Sequence, residues 1–427
     1  MIMRAARLPF LLLALGGASA GCNGSTDIAD KTSGTTGHGA SSTGGEGGQA
    51  STSTTATTAT TGTGAGTGGD GAGGNGVAYP APHPSMPVIP SHGGKVLSAP
   101  SIVTVTFTGD PNEAKEQELD DTIGTFDWWT KAVTPYGVGP ASGGGHVTLA
   151  DVPPAAMSDA DFETWLSGKI EDGSLPPATD QTIYAVYLPA SNVITFSAAE
   201  GGGSSCQAFL GYHSSIVVMQ NGVPVTTQYA VIDLCDTDLD NTTTTASHEI
   251  AEASSDPTPL TGQLGYVITG DNAWTLAGGE NADMCAEVGG YTENGFTLTR
   301  VWNNANAKNG DQPCVPVNDD PSGTDVPYFN AAIVKPTLSG KPGDTVTTEI
   351  DCYSFGPLPS PMQLSTQGFS KSLSFDFDQL TCVNGDKVTL SITISANAKS
   401  GSEKYYSVYA ALDDNTSHIW RGIVRIQ

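Results

Sequence analysis

The sequence predicts an α/β domain followed by an all-β domain, both carried behind an export leader and a long unstructured tether. Three observations support that expectation. Over residues 95–317, β-branched runs alternate with segments of helical spacing; over residues 328–427 only short alternating strands remain. The stretch from Asn23 to about Gly76 is mostly Ser, Thr, Gly and Ala and holds almost none of the side chains that a core needs. At 427 residues the chain is long enough for two ordinary domains.

Residues 1–21 have the layout of an export signal: Arg4 and Arg7, then the apolar run Leu8 to Leu15, then small residues. The run is too short to span a membrane as a helix. Ser19-Ala20-Gly21-Cys22 resembles a bacterial lipobox, although Leu is commoner at its first position. That resemblance implies cleavage before Cys22, its diacylation, and anchorage to the bacterial cell envelope; an ordinary secretory signal with a leftover cysteine is the alternative. Residues 22–94 then act as a leash, flexible at first and stiffer through the proline-rich stretch Tyr79 to Pro90.

A formal charge of −27 argues against a nucleic-acid partner and against charge-driven binding to anionic lipid, so membrane contact is expected through a lipid anchor alone. The same charge suits a solvated surface or cation binding. After Cys22 six cysteines remain: Cys206, Cys235, Cys285, Cys314, Cys352 and Cys382. An even number in an exported chain points to disulfides. Fifteen pairings are open to six cysteines; joining neighbours in order closes three modest loops and keeps the last bridge inside the C-terminal domain. No pair has the short spacing of a cysteine zinc site.

The elements follow in order. Val96 to Thr108, alternating from Ile102, marks a first strand, and Pro111 to about Ala132 carries Leu119, Ile123 and Phe126 at helical spacing. Trp128 and Trp129, on the same stretch, are expected to pack in the core or a cleft. Ser158 caps a second helix with Phe162, Trp165, Leu166 and Ile170 on one stripe. Thr182 to Pro189 is the apolar run expected inside a sheet. A glycine-rich loop from Gly201 leads to Gly211-Tyr-His213, and Ile216 to Met219 and Tyr229 to Leu234 are two more strands. Beyond Pro327 come Val346 to Ile350, Leu373 to Phe377, Lys387 to Ile394, Tyr405 to Leu412 and Trp420 to Ile426, in the rhythm of a β-sandwich of the immunoglobulin kind.

Most of the predicted chemistry sits in Ser247-His-Glu-Ile-Ala-Glu252, reached through the acidic turn at Asp236, Asp238 and Asp240 and a threonine run. On a helix His248 and Glu252 lie one above the other, four residues apart, and can grip one cation. Glu249 stands beside them as a base for cation-bound water. The order matches the His-Glu-x-x-His helix of zincins with Glu252 in place of the second histidine, which keeps zinc as the expected ion but admits another divalent cation. A third ligand must come from elsewhere; Asp283, beside Cys285, is favoured over Asp256 and Glu280. His213 is an auxiliary group, to stabilise an oxyanion or serve as an alternative ligand. Its structural alternative, a hydrogen-bonded core histidine, stays open. The acidic turn lacks the glycine and distal glutamate of an EF-hand and reads as a solvated loop. The remaining histidines, His38, His83, His92, His146 and His418, have no evident partner in the sequence.

Taken together, Val96-Leu-Ser-Ala-Pro100, Tyr136-Gly-Val-Gly139, Gly211-Tyr-His213, the His248 helix with Asp256-Pro257, Glu280-Asn-Ala-Asp-Met-Cys285 and Trp302-Asn-Asn-Ala305 resemble the ordered blocks of the plant phosphate-induced, exordium-like proteins and of related exported bacterial proteins. The resemblance spans roughly Lys95 to Pro316. It implies a zincin-like fold with the His-Glu-x-x-Glu helix at its centre, in a family of cell-surface proteins. Two functions are therefore expected: a metal-dependent hydrolase of peptide-like substrates, or a non-catalytic surface module that binds a cell-wall polymer or partner and keeps its metal for stability.

Overall fold

Five strands build the sheet of the α/β module: β1 (Ser101–Phe107), β2 (Ser142–Leu149), β3 (Thr182–Pro189), β4 (Gly211–Gln220) and β5 (Val223–Leu234). Their order is β2-β1-β3-β5-β4. All neighbours are parallel except β4, which runs antiparallel to β5 along one edge. This is a computed structural model, and it describes residues 78–427 apart from 198–201, 260–262, 271, 287, 318–325, 369 and 413–416. The expected leader, Cys22, the tether as far as residue 77, His38, Gly201 and the turn at residues 413–415 lie outside the described residues.

Alternation along β3 sets the two faces of the sheet. Ile183, Ala185 and Tyr187 pack with Leu119 of α1 (Glu113–Thr122) and Ile250 of α3 (Leu239–Ser255). Tyr184, Val186 and Leu188 pack with Phe162, Leu166 and Ile170 of α2 (Asp159–Glu171). Each side chain of this size stabilises the fold by about 1.5–3 kcal/mol when fully buried. Ser158 caps α2 as expected: its hydroxyl accepts from the Asp161 N–H while the Asp161 carboxylate accepts from the Ser158 N–H.

Two expected boundaries differ. The helix read from Pro111 to Ala132 is α-helical only to Thr122 and then breaks into short irregular turns through Tyr136. The break lets two buried tryptophans find acceptors: Trp128 Nε1 donates to the Thr299 carbonyl at 2.6 Å and Trp129 Nε1 to that of Gly139 at 3.1 Å. The second difference is that β4 and β5 are longer than their apolar centres. They join through Asn221 and Gly222, both at positive φ (52° and 78°), the backbone of a tight hairpin turn. His213 consequently lies on a strand, paired with Ala230 of β5, rather than at the end of a loop.

The C-terminal residues form two sheets that pack against each other. One orders Phe329–Ile333, Thr345–Ser354, Lys387–Ile394 and Leu373–Phe377; the other orders Thr337–Gly340, Ser417–Ile426, Ser402–Ala411, Met362–Gly368 and Thr381–Cys382. The sequence reading missed Phe329–Ile333, Thr337–Gly340, Met362–Gly368 and Thr381–Cys382. Cysteines bond in the neighbour order: Cys206–Cys235, Cys285–Cys314 and Cys352–Cys382. The last bridge ties one sheet to the other. Among the described residues no helix is long and apolar enough to cross a membrane.

All described residues belong to one compact unit, and the two modules share a core in which Trp274 lies against both Trp302 and Trp420. Packed chain begins before residue 95, where the tether was expected to end. Ala81, Met86 and Ile89 are buried, and His83 stacks on Tyr353 with ring centroids 3.6 Å apart. Proline-rich composition signals stiffness there, but its few apolar side chains suffice to dock it.

Candidate metal centre

α3 starts at Leu239 and absorbs the threonine run that the sequence reading placed before the helix. Threonine is a poor helix former because its hydroxyl competes for backbone groups. Here the competition is satisfied inside the helix, with Thr242 and Thr245 hydroxyls donating to the carbonyls of Asp238 and Asn241. Asp238 caps the first turn through the Asp240 N–H at 3.0 Å, so the acidic turn is used for capping. At the other end Asp256 leaves the helix at φ −134°, ψ 70°, and its Oδ1 accepts from the Gly265 N–H at 2.8 Å.

Between these ends α3 presents its histidine and carboxylates to β4 and to the segment after Gly278. His248 Nε2 lies 3.3 Å from Glu252 Oε1 and 3.4 Å from Asp283 Oδ1. His213 Nδ1 lies 3.5 Å from Glu249 Oε2 and 3.6 Å from Glu252 Oε2, while its Nε2 faces Glu280 Oε1 at 3.5 Å. Two sets could each hold a cation: His248, Glu252 and Asp283, and His213, Glu249 and Glu252. Tetrahedral zinc with bonds of about 2.0–2.1 Å places its ligand atoms about 3.3 Å apart, which is close to these separations.

Backbone donors fix the third ligand. The Asp283 N–H donates to Glu252 Oε1 at 2.9 Å, and the Glu280 N–H donates to Asp283 Oδ2 at 3.2 Å, leaving Oδ1 for His248. Gly278, at φ +110°, lies so near that a Cβ there would sit 2.3 Å from Asp283 Oδ2. At β4, a Cβ on Gly211 would meet Glu249 Cγ at 3.0 Å and Thr245 Cγ2 at 2.7 Å. Both glycines let main chain approach the carboxylates. The Asp283 segment is held in turn by Cys285–Cys314, by Asn281 Nδ2 donating to Ser255 Oγ at 2.9 Å, and by Arg421 Nη2 donating to the Asp283 carbonyl at 3.1 Å. Arg421 is wholly buried and comes from the C-terminal module, which therefore buttresses the site.

The cluster is dry. Side-chain exposure is 13 % for His248 and 3 % for His213, so His248 marks the side nearer to water. Burial alone would push both imidazoles down, but the carboxylates around them outweigh it and hold both well above the usual histidine range. For His213 the chief of these is Glu280, for His248 Glu252. Burial pushes Glu249 and Asp256 up, and Glu280 well up.

Each residue singled out in the sequence has a definite place. His248, Glu252 and Asp283 converge, with Glu249 beside them. Of the alternatives to Asp283, Glu280 faces His213, and Asp256 is engaged with Gly265 and belongs to neither cation set among the described residues. His213 sits at the centre of the carboxylates. Besides Arg421, sequence reasoning missed Asp233, which lies on β5, is buried, and is pushed up to about 8 by that burial with Glu249 adding to the shift. Its only sequence signal is a carboxylate ending an apolar strand. Several histidines without evident partners in the sequence have them in the fold: His146 Nε2 meets Asp121 Oδ2 at 3.0 Å, His92 Nε2 meets the Val267 carbonyl at 2.9 Å, and buried His418 meets Gln312 at 3.0 Å.

No family model and no curated protein matches the chain. Among solved structures, it is similar to domains 4 and 5 of the S-layer protein SbsC at 7 % identity and a TM-score of 0.19, over 23 % of this chain and 53 % of that one. It is similar to a Bacteroides ovatus xyloglucanase at 14 % identity and a TM-score of 0.17, over 23 % of this chain and 19 % of that one. A chimeric titin tandem is similar at 15 % identity and a TM-score of 0.16, over 23 % of this chain and 50 % of that one. The chain thus spans about half of the S-layer fragment, and likeness this slight carries no argument about fold or function.

Proposed function

We propose that the chain is an exported, lipid-tethered cell-surface protein, similar to the exordium-like family, whose α/β module is a zincin-like metal-dependent hydrolase of peptide-like substrates. The observation that carries this reading is the meeting of His248 Nε2, Glu252 Oε1 and Asp283 Oδ1 from two separate segments at 3.3 and 3.4 Å. The three disulfides support export. A helix following the last strand of a mixed sheet supports the zincin-like reading, and the disulfide between the two C-terminal sheets supports an immunoglobulin-like sandwich.

Zinc or a similar divalent cation on His248, Glu252 and Asp283 would supply Lewis acidity toward a carbonyl and acidify water. The protein's own work is placement. Glu249, with its affinity for protons raised by burial, receives a proton from water and passes it to the leaving amine. His213, with Nδ1 at 3.5 and 3.6 Å from their carboxylates, positions Glu249 and Glu252. Peptide hydrolysis by the purified full-length chain, assayed on a mixed peptide library with zinc supplied, tests the reading. Glu249→Gln should lower turnover by at least about 100-fold with the ion on His248, Glu252 and Asp283 retained. Absence of any cleavage by the metal-loaded wild type would reject the hydrolase.

A second reading, a surface module binding a wall polymer with a structural cation, is favoured by the burial: Glu249, Glu252, Glu280 and Asp283 are each less than a tenth exposed. It predicts that Glu249→Gln changes no activity.

A further inference from the structure

We infer that the centre holds two divalent transition-metal ions rather than one, with Glu252 bridging them and His213, Glu249 and Glu252 forming the inner site. The inference rests on the metal-dependent reading above and extends it. The first observation is the division of labour within Glu252. Its Oε1 faces His248 and its Oε2 faces His213, so each carboxylate oxygen belongs to a different ligand set. A bridging carboxylate between ions about 3.5–4 Å apart has this arrangement.

A second observation concerns His213. Its Nε2 and Glu280 Oε1 are both buried without a hydrogen-bond partner, yet they face each other at 3.5 Å. Metal-binding histidines characteristically direct the ring N–H opposite the metal at a carboxylate, which fixes the tautomer. With Nε2 turned to Glu280, Nδ1 is the nitrogen that lies between two carboxylate oxygens, Glu249 Oε2 and Glu252 Oε2. Without an ion a proton on Nδ1 compensates these oxygens; a divalent cation that displaces that proton finds three ligand atoms already converged.

Charge points the same way. Glu249, Glu252, Glu280 and Asp283 crowd two imidazoles, and Asp256 and Asp233 act on this group from its margins. Buried charges without compensation are strongly destabilising. One divalent ion at His248 leaves the inner carboxylates facing His213 alone; a second ion compensates them. Glu249 would bind the inner ion through Oε2, and its other oxygen remains for the proton transfer assigned above. The inner ion, beside the 3 % exposed His213, has a structural role, and the outer one, beside His248, is the one that substrate reaches.

The test strips the full-length chain of metal, adds Zn²⁺ or Mn²⁺, removes unbound ion by gel filtration and counts the ions per chain. Two per chain are expected in the wild type, and one in each of His213→Gln and His248→Gln. Mn²⁺ should give the electron paramagnetic resonance of an exchange-coupled pair in the wild type and of an isolated ion in either variant. Circular dichroism establishes that each variant is folded. Should His213→Gln not fold, Glu280→Gln replaces it, with inner-ion affinity expected to fall by about 10–100-fold. One ion in the wild type, retained in His213→Gln and lost in His248→Gln, overturns the pair and leaves the single-ion reading standing. One ion lost only in His213→Gln overturns both the pair and the outer ligand set. No bound ion in the wild type overturns every metal reading.

Discussion

Two groups of carboxylates are buried in the α/β module, and they are accommodated by different means. On α1, Glu116 and Asp120 are wholly buried. The groups that act on Glu116 are Asp110, Asp120 and Glu113, all acidic, and the neighbours on the sheet are hydroxyls: Tyr187 donates to Asp120 Oδ1 at 3.0 Å. Burial pushes Glu116 up to about 9 and Asp120 up to about 7, so protons compensate this cluster. Around α3 the carboxylates instead converge from two segments on two imidazoles, with backbone N–H groups orienting Glu252 and Asp283. Burial is common to both groups. What distinguishes a candidate cation site is the imidazole lone pair and the fixed convergence of separate segments.

Several substitutions sharpen or break that contrast. The largest effect should come from replacing Cys285 and Cys314 together by Ser. Their bridge closes a separation of 29 residues, and losing such a bridge costs about 3–4 kcal/mol in the chain-entropy account. Chemical denaturation should show that loss together with weakened metal binding, because Asp283 rides on the stapled segment; unchanged metal affinity would mean that Arg421 and Asn281 hold it unaided.

Next in size is Glu116→Gln. A carboxyl group whose folded pKa is raised contributes stability that is fully present below its ordinary value and lost as pH rises through the folded one. The wild type should therefore lose stability between about pH 4.5 and about 9 through Glu116. Glu116→Gln should flatten that slope and raise Tm by several degrees at pH 8 with little change at pH 4. An identical slope in both proteins would show that the cluster is compensated by something other than a proton.

Tyr187→Phe removes the donor to Asp120 and should cost about 1–2 kcal/mol by denaturant titration. Smallest of all is His146→Ala. The His146–Asp121 contact is a third or more exposed on both sides, and such pairs contribute about 0–1 kcal/mol. If His146→Ala nevertheless altered the Glu116-dependent pH slope, the α1 cluster would have an imidazole partner after all.

Much of this was legible in the sequence, for identifiable reasons. β3 was read with its bounds intact because eight consecutive apolar or β-branched residues, ending at Pro189, admit little else. The Ser158 cap and the disulfide order follow from local chemistry and short loops. His248, Glu249 and Glu252 were readable because helical spacing is a local property, and Asp283 because Cys285 beside it is tied to Cys314. β4 was half hidden, since Gly211, Ser214 and Ser215 weaken the strand signal and Asn221-Gly222 is its only marker. With β4 hidden, the central position of His213 was hidden too. Arg421 and Asp233 reach the site only through tertiary packing, which no periodicity reports.

The central claim is that the α3 cluster closes on a divalent cation. Its most direct test is calorimetric melting of the chelator-stripped full-length chain as Zn²⁺ is added, beside Glu252→Gln, which lacks the carboxylate shared by both ligand sets. Ligand at about 100 times its Kd stabilises a folded protein by about 2.7 kcal/mol, or roughly 3–4 °C in Tm for a chain of this size. The account predicts a rise of that order in the wild type and none in Glu252→Gln. Melting of the wild type that stays unchanged in excess Zn²⁺, Mn²⁺ and Ca²⁺ would contradict it and leave two proton-compensated carboxylate clusters in one module.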